Sequence, residues 1–68
     1  MRSVLKEARK AEGMTQQQVA DRLGITLRNY QKIEAGDMLG SIRLWDALED
    51  MFNVHQRELR QTSQEASR

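Results

Sequence analysis

Sixty-eight residues with no cysteine, no proline and one histidine allow a single small domain, and they exclude disulfides, thiolate metal sites and a histidine-built metal centre. No stretch is apolar for long enough to span a membrane and the N-terminus has no signal-peptide core, so a cytoplasmic protein is expected. The net charge of +1 excludes little, but residues 1–34 carry seven Lys and Arg against four Asp and Glu, and residues 35–68 carry four against six: a basic half suited to a polyanion and an acidic half suited to facing away from it.

Leu, Ala, Gln, Glu, Lys and Arg dominate and no strand-like alternation appears, so every predicted element is a helix. Val4, Leu5 and Ala8 recur at helical spacing and predict a first helix over Ser3 to Ala11, ended by Gly13. Thr15 and Gln18 form a T-x-x-Q capping box that opens the second helix. Val19, Ala20 and Leu23 are its buried face, and Gly24 stops it. Thr26 is the N-cap of a third helix running to about Ala35, with Gly36 as its stop. Ile25, Tyr30 and Ile33 are its core side, with the Tyr30 hydroxyl expected at the edge.

Beyond the loop Asp37-Met38-Leu39-Gly40, Ser41 caps a fourth helix whose core face is Trp45, Leu48 and Phe52. Leu44, Ala47 and Met51 form a second stripe, which either completes the core around the fifth helix or faces a symmetry mate. Asn53 suits a left-handed stop. Val54 to Leu59 or Gln61 makes a short fifth helix, with His55 where a capping residue is expected. The chain thus divides into a domain over 1–61 and a polar tail over 62–68, expected to be disordered.

Helices two and three, joined by a very tight turn, have the spacing of a helix-turn-helix. Val19 and Leu23 stand one turn apart, Ala20 is small where the helices nearly touch, Gly24 tolerates positive φ in the turn, Ile25 plugs the core, and Tyr30 and Ile33 anchor helix three. Outside this setting Arg28, Asn29 and Lys32 would pass for a solvated helix face. Inside it they become candidate readers of a polyanion.

The runs MTQQQVADRLGIT, NYQKIEAG and IRLWDALEDMFNV, within Leu5 to Leu59, resemble the DNA-binding domain of phage lambda repressor and Cro-like proteins, the XRE family. The resemblance implies an all-α, compact five-helix fold. It also implies that helix three lies in the major groove with its N-terminal residues at the base edges. On that reading Gln16 touches a phosphate and braces the reading helix, Gln17 reaches the backbone beside it and Thr26 bonds phosphate, while Leu27, Arg28, Asn29 and Lys32 face the bases or their flanks. Arg28 has the planar fork that fits guanine O6 and N7, Asn29 can pair with adenine N6 and N7, and Leu27 can meet a thymine methyl. The resemblance also pairs Arg9 with Glu34 as a buried tie between helices one and three. The loop after helix three departs from the family, which often places basic residues there. Here only Arg43 stands nearby, although the amides at the start of helix four, around Ser41 and Ile42, offer an anion site.

The sequence thus predicts a sequence-specific DNA-binding transcriptional regulator, a repressor in preference to an activator. It would read a roughly palindromic operator as a homodimer formed through helix five and the end of helix four. Double-stranded DNA is the expected partner, with room for a protein partner. No cofactor, metal or small-molecule ligand is expected. Nor is an enzyme, since the chain offers no nucleophile–base pair or phosphate-cradling glycine loop. Two other readings are an antitoxin that binds DNA and holds a toxin, and a protein-interaction module that keeps the fold without DNA.

Overall fold

Local capping chemistry sets the helix boundaries. The Thr15 side chain accepts from the Gln18 N–H at 3.1 Å while Gln18 Oε1 accepts from the Thr15 N–H at 2.8 Å, a complete capping box. Thr26 accepts from the Asn29 N–H and Ser41 from the Leu44 N–H, each at 3.1 Å. The structure, a computed structural model, describes residues 1–62. Its helices are α1 (Ser3–Ala11), α2 (Gln16–Leu23), α3 (Leu27–Ala35), α4 (Ile42–Phe52) and α5 (Gln56–Leu59), with no strand among the described residues.

Between α2 and α3 the chain reverses within three residues. Gly24 adopts φ +73°, and the Ile25 N–H returns to Ala20 O at 3.0 Å. An L residue would strain there, because a Cβ crowds the following carbonyl in the left-handed region. Asn53 takes the same conformation at φ 56° after α4, as short polar side chains tolerate it. The fifth helix begins two residues later than expected. Val54 stays in the turn and His55 is the N-cap, its Nδ1 accepting from the Arg57 N–H at 3.0 Å.

Leu5, Val19, Ala20, Tyr30, Ile33, Trp45, Leu48, Phe52 and Leu59 form the buried core, so all five helices contribute. Each large apolar side chain removed from water contributes about 1.5–3 kcal/mol against the entropy of ordering the chain. Leu44 and Met51 pack against this cluster and Ala47 is half-buried, so the second stripe of α4 serves the core at least in part. Met38 also packs inward, whereas Leu39 is exposed. Thr62 lies against Gly36; the remainder of the predicted tail falls outside the described residues.

Candidate nucleic-acid interface

Glu34 organises the side of the molecule where α2 meets α3. Its carboxylate is buried and accepts four hydrogen bonds. Arg9 Nε reaches Oε2 at 2.8 Å and Arg9 Nη2 reaches Oε1 at 3.2 Å, a two-pronged ion pair from α1. Tyr30 Oη donates to Oε2 at 2.8 Å, and Gln16 Nε2 donates to Oε1 at 2.9 Å. The expected tie between Arg9 and Glu34 is therefore present. The Tyr30 hydroxyl, expected at the edge, is instead fully buried, because an ionised carboxylate without enough donors would be costly in the core.

These contacts oppose one another in their effect on Glu34. Burial pushes the carboxyl up, but the hydrogen bonds from Arg9, Tyr30 and Gln16 and the Arg9 charge outweigh it, and the group ends below the usual carboxylate range. Tyr30 is held well above the ordinary phenol value, first by burial and then by its bond to a carboxylate. Arg9 moves up through the hydrogen bond to Glu34. Every buried side-chain nitrogen and oxygen among the described residues has a partner.

Gln16 carries this network to the surface. Half-buried at the first position of α2, it donates to Glu34 and accepts from Gln31 Nε2 at 3.3 Å, bridging the start of α2 to the middle and end of α3. Gln17, one residue on, is exposed and bonds Asp21 Oδ1 at 2.8 Å along its own helix. Thr26 is exposed, with its oxygen occupied as a cap acceptor and its hydroxyl proton still able to donate. Leu27 and Asn29 are half-buried in the first turn of α3.

Arg28 and Lys32 are exposed, four residues apart on one helix, and neither pairs with an acid among the described residues. Like charges at this spacing repel by roughly 0.2–0.5 kcal/mol in an isolated helix, a cost that an anion lying across both would relieve. The structure joins Gln16 to Gln31 and Glu34 and leaves Arg28 and Lys32 one turn apart on α3. It also redistributes the basic half. Arg2 and Arg9 are buried, so they add nothing to the exposed charge. Beyond α3 the surface turns apolar: Leu39 and Ile42 are 65% and 73% exposed on either side of Gly40 and Ser41.

Sequence reasoning counted Arg2 as a surface charge and missed its buried role. One signal was available. Arg2 precedes α1, where a cation meets the positive end of the helix dipole, an unfavourable place unless the side chain is held elsewhere.

A family model described as helix-turn-helix matches residues 5–59. No curated protein and no solved structure matches the chain. No helix among the described residues is long and apolar enough to cross a membrane.

Proposed function

The chain belongs to the Cro/C1-type helix-turn-helix (XRE) family of DNA-binding regulators, and we propose that it acts in the cytoplasm as a sequence-specific repressor reading the major groove with α3. The observation that carries this reading is the exposed Arg28–Lys32 couple on α3, which no acid among the described residues pairs, on the same helix that Glu34 and Gln31 bond to Gln16. Arg28, near the start of α3, is the base reader, with Leu27 and Asn29 flanking it. Lys32, one turn further on, serves a base edge or a phosphate. Gln16, Gln17 and Thr26 hold phosphates through their donors, which set register without carrying sequence.

A nine-residue helix meets few base pairs, so two copies on a roughly palindromic site supply the remaining specificity. Half-sites then lie about one helical turn apart. Helix α5 and the end of α4 form the contact between copies. The test is enrichment of bound sequences from a random duplex pool. The reading predicts a palindromic consensus with that spacing. Recovery of an unenriched pool, or of a single unpaired half-site, removes the proposed mode.

A further inference from the structure

Arg2 is 4% exposed, and its partners lie on four other parts of the fold. Its backbone N–H donates to Glu34 O at 2.8 Å. Its guanidinium donates through Nη1 to Ile33 O and to Met38 O, the latter at 2.8 Å, and through Nε to Arg60 O at 3.0 Å. The same group lies over the Trp45 ring, 5.1 Å from its centroid. One side chain thus touches the C-terminal end of α3, the loop that follows, α4, and the residue that ends α5.

The α3 contacts are the informative ones. The last four carbonyls of a helix have no partner within it, and a cation there is favoured by the helix dipole. Ile33 O is shared between the Gly36 N–H and Arg2, Lys32 O takes the Asp37 N–H, and Glu34 O takes the Arg2 N–H. The N-terminal end of α3 is held by Thr26 and Ile25, and its middle and penultimate residue by Gln16, all of which belong to the helix pair itself. Its C-terminal backbone is tied to α4 and α5 through Arg2.

We infer that Arg2 is a positioning residue for base recognition: by clamping the C-terminal carbonyls of α3 to α4 and α5, it sets the tilt and axial position of the helix that presents Arg28. This inference rests on the DNA-reading role of α3 proposed above. Arg28 stands five residues before Ile33, about 7.5 Å along the axis. A change of about 10° in the axis direction displaces Arg28 relative to Ile33 by about 1.3 Å, more than the roughly 0.5 Å tolerance of a good hydrogen bond. Phosphate contacts from Gln17 and Lys32, held on flexible side chains, absorb such a shift. Base-edge contacts do not.

The experiment compares the wild-type chain with Arg2→Met and Arg2→Lys. Each is titrated with the duplex that the wild type enriches from a random pool and with the same duplex scrambled in sequence. The readout is the ratio of the two affinities. A role confined to stability lowers both affinities by the folded fraction and leaves the ratio unchanged. The positioning role predicts that scrambled-duplex binding and its salt slope persist while the ratio falls about tenfold, the worth of one well-made base contact. Arg2→Lys, which keeps the cation but not the planar fork, should recover part of the ratio. An unchanged ratio in both variants overturns the inference. Loss of folding in both does so too, since Arg2 would then be a determinant of the fold alone. A wild-type ratio of one overturns the DNA-reading role itself and this inference with it.

Discussion

The side-chain amide of Gln16 and the carboxylate of Glu34 meet at 2.9 Å, so the first residue of α2 is bonded to the penultimate residue of α3. Gln31 donates to Gln16, Gln16 donates to Glu34, and Arg9 closes the chain from α1. The surface proposed to meet a phosphate and the buried ion pair are therefore one hydrogen-bonded unit.

Removing Glu34 should be far more damaging than removing an exposed acid. Glu34→Ala leaves Arg9 buried without its partner, at a cost of about 3–5 kcal/mol. At roughly 0.05–0.15 kcal/mol per residue, a domain of this length has a total stability of about 3–10 kcal/mol, so the loss removes a large share of it. Glu34→Gln retains an acceptor for Arg9 and should fall between the two. Urea denaturation followed by helical circular dichroism measures both, and a Glu34→Ala midpoint close to wild type would contradict the ion-pair account.

Stability should fall at both extremes of pH for identifiable reasons. The folded-state pKa of Glu34 is depressed, so its contribution is complete above the unfolded value of about 4.3 and is lost as pH falls through the folded value below it. The folded-state pKa of Tyr30 is raised, so its contribution holds below about pH 10 and declines as the pH rises further. Denaturation midpoints between pH 2 and 11 should show a plateau with an acid limb that Glu34→Gln flattens and an alkaline limb that Tyr30→Phe flattens.

On the exposed face of α3 the two cations should separate by mechanism. Arg28→Ala should cost about 1–3 kcal/mol of discrimination between the enriched and altered duplexes. Lys32→Ala should weaken binding across sequences and lower the salt slope by about one if the ammonium meets phosphate. Affinity measured from 50 to 300 mM salt distinguishes them. Wild-type behaviour in both variants would remove α3 as the reader.

Gly24→Ala isolates backbone strain from packing. No heavy atom lies within 4 Å of a Cβ placed there, and φ is +73°, so the expected cost is about 1–2 kcal/mol from conformation alone. At Gly40 a Cβ also comes within 3.2 Å of Leu44 Cδ2, so Gly40→Ala should cost at least as much. Thermal midpoints of the two variants rank them.

Most of the architecture was legible because its determinants are local. Thr15, Thr26 and Ser41 announce helix starts, while Gly24 and Gly36 mark stops, through chemistry that acts within a few residues. Their spacing was enough to place α2 and α3 at a tight turn. Periodicity placed Trp45, Leu48 and Phe52 in the core for the same reason. Features that depend on distant partners were harder to see. Nothing near Tyr30 indicates that its hydroxyl turns inward to Glu34. Arg2 was the largest omission, since its partners lie at Ile33, Met38 and Arg60 and become neighbours only after the helices have packed.

That distance also bears on when the domain becomes competent. Arg2 and Arg60 are 58 residues apart in the chain, whereas α2 and α3 are separated by three. Short-range pairs close at lower entropic cost and so assemble earlier. A growing or refolding chain is therefore expected to possess the helix pair before its second helix is aimed. In stopped-flow refolding, helical signal should precede the change in Trp45 emission that accompanies the arrival of Arg2 over the ring. DNA capture should follow the later event, and simultaneous appearance of all three signals would exclude this order.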